Sequence, residues 1–180
     1  MPKLACFDLD DTLIREVHSV MLPCILNGKE AEHAEIQKKE EEGLLDYIAA
    51  GHERAKLMEG LEEAKIFSNF YKIVKPLQDI PIVVGTLHSK EIACILVTVG
   101  PIQAAKAAAV LWNFDGYYGS DYEVADGRFT GKIRQYIDAN HKEWTCLLDY
   151  CQKHGISLEE ALPWGMEPLT FLFFFAAGSP

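Results

Sequence analysis

Cysteine is sparse and unpatterned in this chain. The five residues, Cys6, Cys24, Cys94, Cys146 and Cys151, are odd in number and none are spaced as C-x-x-C. That usage fits reduced, structural thiols and speaks against a disulfide framework. Long hydrophobic runs are missing too. A membrane helix needs roughly 20 apolar residues in a row, and the closest approach, Leu169 to Ala177, is about half that length. The opening MPKLACFDLDDTL has too short an apolar stretch for a signal-peptide core, so the expected location is cytoplasmic and no membrane association is expected. Positive charge is the third shortage: 17 Lys and Arg stand against 27 Asp and Glu, a net charge of −10, without a basic block. Nucleic acid and anionic lipid are therefore poor partners. The histidines, His18, His33, His52, His88, His141 and His154, form no spaced ligand set and read as surface or helix-end residues, which disfavours zinc. Internal repeats and low-complexity linkers are also absent.

What is present is an ordinary globular composition, 49% apolar over 180 residues, enough for one domain with an insertion. Leu4-Ala5-Cys6-Phe7 is a continuous apolar run ending in acids, as a buried parallel strand reads where its carboxyl end meets a site. From Glu16 to about Lys75 the pattern is helical, with Leu44, Leu45, Ile48, Leu57 and Leu61 at helical spacing, a stretch the size of a small lid. Pro76 and Pro81 break it. Ile92 to Val97 predicts a second buried strand, punctuated by a turn at Thr98-Val99-Gly100-Pro101, and the Ala-rich Gln103 to Trp112 predicts a helix that closes a β-α-β unit with Tyr117-Tyr118. Ala125-Asp126-Gly127 between two short strands predicts a hairpin. A helix follows over His141 to His154, then a strand from Glu160 to Trp164. Strands alternating with helices argue for a doubly wound α/β fold with its ligand crevice at the carboxyl ends of the strands.

The chemistry concentrates in Asp8-Leu9-Asp10-Asp11-Thr12-Leu13, directly after the first strand. Asp8 and Asp10, two apart, can share one crevice, and like charges so close are costly unless a cation or phosphoryl chemistry uses them. The structural alternative is an acidic helix-capping turn, since Asp-x-x-Thr is common there.

The whole string Phe7-Asp8-Leu9-Asp10-Asp11-Thr12-Leu13 resembles the first motif of the haloacid dehalogenase-like (HAD) phosphatase superfamily, and the chain looks most like its phosphoserine phosphatase-like branch, subfamily IB. The resemblance implies an α/β, HAD-like doubly wound (Rossmannoid) parallel sheet over 1–14 and 76–180, with a helical cap over 15–75 inserted after the first strand. It implies Asp8 as nucleophile and magnesium ligand, and Asp10 as acid/base whose backbone carbonyl also meets the metal. Thr98, closing the second strand, matches the hydroxyl that binds phosphoryl oxygens, and Gly100 lets the backbone approach phosphate. Lys142 matches the lysine that offsets the charge of Asp8 and phosphate; Lys132 comes too early. In the cap, Arg54 is similar to the arginine that holds an anionic substrate group, and Glu16 to the glutamate that reads an amine, one residue closer to the first motif.

The fourth motif departs from the pattern. Its two acids should follow Gly165, but Met166 and Thr170 occupy those places, and Glu167 is the nearby carboxylate offered as a magnesium ligand beside Asp8 and Asp10. The C-terminal part, ending Phe171-Leu172-Phe173-Phe174-Phe175, reads as truncated or divergent against that pattern. Two functions follow: a Mg2+-dependent phosphomonoester hydrolase forming an aspartyl-phosphate on a small phosphorylated metabolite, or a catalytically weakened relic that binds phosphate or a protein partner. One sequence names neither the substrate nor the oligomeric state.

Overall fold

The computed structural model describes residues 1–137 and 142–164. The elements run β1 (Leu4–Asp8), β2 (Ile14–Arg15), α1 (Met21–Leu26), α2 (Glu30–Glu41), α3 (Tyr47–Lys56), α4 (Ala64–Ile73), β3 (Lys75–Pro76), α5 (Ile80–His88), β4 (Ala93–Pro101), α6 (Ile102–Trp112), β5 (Gly116–Ala125), β6 (Arg128–Gln135), α7 (Lys142–His154) and β7 (Ala161–Trp164). The five-stranded sheet has the order β6-β5-β4-β1-β7. β1, β4, β5 and β7 are parallel, and β6 returns antiparallel to β5. This is the expected doubly wound α/β architecture.

β1 is apolar from Leu4 to Phe7, where it is covered on both faces. Alternate residues divide between two clusters: Ala5, Phe7, Cys94 and Leu96 pack with α4, α5 and α6, while Leu4, Cys6, Ile95 and Val97 pack with Trp144, Leu147 and Cys151 of α7. α6 lies close to the sheet because its inward face is alanine, with Ala104, Ala105, Ala107 and Ala108 fully buried. Gly119 on β5 permits the same approach, since a Cβ there would stand 2.6 Å from the Ile102 Cα.

The two-residue turn between β5 and β6 has Asp126 at φ 50° and Gly127 at φ 74°, the left-handed pair that matches the twist of a hairpin. Three expectations are corrected. Residues 98–101 do not turn but extend β4, which bulges between Val97 and Pro101 where it pairs with β5. Pro81 does not simply break structure; it sits in the first turn of α5, where a missing amide costs nothing. His33 is not a surface residue but is buried on α2.

The helical stretch between β1 and β4 is tied at its base by β2 and β3, which pair antiparallel as Ile14↔Pro76 and Arg15↔Lys75. It also rests on the β5–β6 hairpin. Gly60 N–H donates to Phe129 O at 2.9 Å, Phe129 N–H to Leu61 O at 2.9 Å, and Glu63 N–H to Gly127 O at 2.9 Å. Met58, Leu61, Ile66 and Phe70 of this stretch belong to the same buried cluster as Trp112, Tyr122 and Phe129. Insertion and sheet therefore share one core.

Candidate active site

Register brings the site together. Asp8, the last residue of β1, lies opposite Val97 of β4, so Thr98 follows one step beyond at the carboxyl edge. The chain then turns through Asp11, whose φ of 59° is left-handed, a conformation Asp tolerates better than most residues. This turn returns Thr12 to β1, where its hydroxyl donates to Asp8 Oδ2 at 3.0 Å. The helix-capping alternative is not what forms, because the turn leads into β2 rather than a helix and Thr12 orients the Asp8 carboxylate instead.

Asp10 is held by three donors. The Ser19 backbone N–H donates to Oδ1 at 2.6 Å and the Ser19 hydroxyl to Oδ2 at 2.6 Å, while the Thr98 hydroxyl reaches Oδ2 at 3.3 Å. Ser19 and Thr98 are completely buried. Thr98 Oγ1 in turn accepts the Gly100 N–H at 3.1 Å. Hydroxyls both donate and accept, so this pair accommodates Asp10 with or without a proton. Gly100 is required for the arrangement, because a Cβ there would lie 1.9 Å from Ser19 Oγ.

A cavity of about 50 Å³ opens beside Asp10, lined among others by Gly51, Arg54, Val99, Gly100, Tyr122 and Tyr136. Arg54 enters from α3 with 8% of its surface exposed. One end of its guanidinium donates to Glu40 Oε2 at 2.5 Å, while its buried Nε has no hydrogen-bond partner among the described residues. Gly51 makes room for Tyr136, whose hydroxyl a Cβ would meet at 2.6 Å. Burial, above all, pushes the Tyr122 phenol above its ordinary range and keeps it neutral.

The structure thus gathers Asp8, Asp10, Thr98, Gly100 and Arg54 at one end of the sheet. Glu16 is elsewhere: at φ 67° its side chain is 63% exposed and pairs with Lys75 beside the β2–β3 ribbon. Lys142 opens α7, but its side chain, like the whole of Glu167, lies outside the described residues. Ser19 was not legible in the sequence, where a serine nine residues beyond Asp10 carries no signal. Tyr122 and Tyr136 were equally hidden, because only folding brings the hairpin strands to α3. Asp8 and Asp10 offer carboxylate oxygens, the ligand type a hard cation such as magnesium takes.

A strand-end aspartate pair, a strand-end threonine and a helical insertion over them define a class. The family model for haloacid dehalogenase-like hydrolases matches residues 5–165, and the chain belongs to that family. Within it the chain is of the phosphoserine phosphatase-like, phosphatase type. It is 28% identical over 166 residues to the phosphoserine phosphatase of Streptococcus thermophilus, covering 90% of this chain and 74% of that protein. Against the phosphoserine phosphatase of Saccharomyces cerevisiae it is 28% identical over 159 residues, 87% of this chain and 51% of that one, so it spans about half the yeast protein. A solved phosphoserine phosphatase, captured as a phospho-aspartyl intermediate analogue, shares the fold with a TM-score of 0.72 at 22% identity, covering 96% of this chain and 82% of its own.

Proposed function

We propose that this chain hydrolyses a small phosphate monoester carrying a second anionic group, with Mg2+ as cofactor and Asp8 as nucleophile. The observation that carries the reading is the meeting of Asp8, Asp10 and Thr98 at the edge of the sheet, with the buried Arg54 facing the cavity beside Asp10. An Asp8 oxygen attacks phosphorus and the bond to the ester oxygen breaks, while Asp10 delivers a proton to the departing alcohol. Water then attacks the aspartyl-phosphate, Asp10 takes its proton, and inorganic phosphate leaves with Asp8 regenerated. Thr98 would donate to phosphoryl oxygens, Gly100 would admit them close to the backbone, and Lys142 would offset their charge. Residues 15–75 would act as a cap over the core formed by 1–14 and 76–180.

Magnesium would be held by the Asp8 carboxylate and the Asp10 carbonyl, with Glu167 the further candidate, and would supply charge stabilisation to the phosphoryl group. Such sites commonly use one or two carboxylates and leave the other positions to water and substrate phosphate. Arg54 supports the anionic class of substrate, because its unpartnered Nε leaves hydrogen-bonding capacity that a carboxylate would satisfy. Glu16, exposed and paired with Lys75, lends no comparable support to an amine.

The missing fourth-motif acids favour a second reading, a relic that binds phosphate without turning it over. Hydrolysis of para-nitrophenyl phosphate, titrated with magnesium, separates the two. Magnesium-dependent release of nitrophenol that vanishes in Asp8→Asn is expected. Folded protein with no turnover at saturating magnesium would leave the relic.

A further inference from the structure

At the opposite end of β4 from Thr98, three side chains of different chemistry converge. His88 closes α5, Cys94 is the second residue of β4, and Asp115 lies between α6 and β5. One ligand atom from each lies within 4.8 Å of the other two. Asp115 Oδ2 is the hub, accepting the Cys94 backbone N–H at 2.6 Å and meeting His88 Nε2 at 2.8 Å. The Cys94 side chain is completely buried, while those of His88 and Asp115 are 27% and 39% exposed, so the cluster is open to solvent on one side. Thr98 lies four positions further along the strand, about 13 Å away, which puts the cluster outside the phosphatase site.

We propose that His88, Cys94 and Asp115 form a three-ligand site for Zn2+, with water in the fourth position. Imidazole, thiolate and carboxylate are the three ligand types zinc takes from proteins, and three of them plus a solvent position is the open tetrahedral arrangement. Zinc–ligand bonds of about 2.0–2.3 Å set tetrahedral ligand atoms about 3.5 Å apart, so closing on the ion requires a contraction of about one ångström and the opening of the His88–Asp115 hydrogen bond. The Cys94 amide bond keeps Asp115 in place during that change. Burial, with a smaller effect of Asp115, pushes the Cys94 thiol up to about 12; the thiol is inert alone, and the cation takes the place of its proton. Histidine spacing along the chain gave no sign of this site, since its ligands come from three separate elements.

The competing reading is an Asp–His pair that merely caps the start of β4. Cobalt distinguishes them, because Co2+ bound to thiolate gives a charge-transfer absorption that an Asp–His pair lacks. Added to the reduced full-length chain, Co2+ is expected to produce this band, saturating at a single equivalent and reversed by Zn2+. Cys94→Ala abolishes it, His88→Gln weakens binding at least about tenfold, and Asp8→Asn leaves it unchanged. No saturating band, or a band of equal affinity in both Cys94→Ala and His88→Gln, overturns the proposal by assigning cobalt to nothing or to another cysteine of the chain. If Cys94→Ala does not fold, the partly exposed His88→Gln decides alone.

Discussion

Asp10 shows how much of this site rests on the residues that position its carboxylate. Its two oxygens are placed by Ser19 and Thr98, and Ser19 in turn occupies the space that Gly100 leaves open. Adding one methyl group at Gly100 is therefore expected to do more harm than its size suggests. Gly100→Ala should lower stability by about 1–3 kcal/mol and lower kcat with it, because Ser19 is driven off Asp10. Thermal unfolding and para-nitrophenyl phosphate kinetics measure both. Gly100→Ala in a Ser19→Ala background should cost less in stability than in the native chain, since the side-chain oxygen in its path is gone. Equal costs in the two backgrounds would show that the collision does not set the loss.

α2 illustrates an element held by few buried side chains. It is highly charged, and the side chains it buries are His33 and Ile36. Its other anchor is Glu40, which pairs with Arg54 of α3. Burial lowers the His33 pKa below its ordinary 6.5, with Arg54 adding to the effect. A depressed folded-state pKa means that the unfolded chain takes up a proton the folded chain refuses, so stability is lost as pH falls from about 6.5 through the folded value. His33→Gln, which cannot titrate, should flatten this part of the acid limb. The loss of unfolding free energy between about pH 7 and about pH 5, read from denaturant curves, should be smaller in the variant. An identical loss in both proteins would place the titration elsewhere.

Across the whole molecule, the insertion and the sheet behave as one packed body. Phe70 of α4 meets Trp112 of α6 edge to face, with ring centroids 5.8 Å apart, and both belong to the cluster that runs on to Phe7 and Leu96. A lid with its own core would unfold separately; this one should not. Phe70→Ala should cost about 3–5 kcal/mol and shift a single transition to lower temperature. Calorimetry compared with tryptophan fluorescence checks this, and two resolved transitions would contradict the shared core. The same close packing joins α3 to β6 at Gly131, where a Cβ would stand 3.4 Å from the Lys56 Cα.

The amino-acid order alone determined the features that depend on near neighbours. The apolar run of Leu4 to Phe7 specified a buried strand, alanine periodicity specified α6, Asp126-Gly127 specified the hairpin, and Phe7 to Leu13 marked the place of the chemistry. These are local because backbone conformation and two- or four-residue periodicities are set within a few bonds. Tertiary structure alone decided what required distant residues to meet. It placed Ser19 on Asp10, Glu40 on Arg54, Lys75 on Glu16, and His88 and Asp115 on Cys94. It also extended β4 through Pro101, because pairing with β5 satisfies backbone groups that a local reading assigns to a turn. A hydrogen bond or ion pair of this kind depends on ångström distances between elements, and those are set only when the common core closes around them.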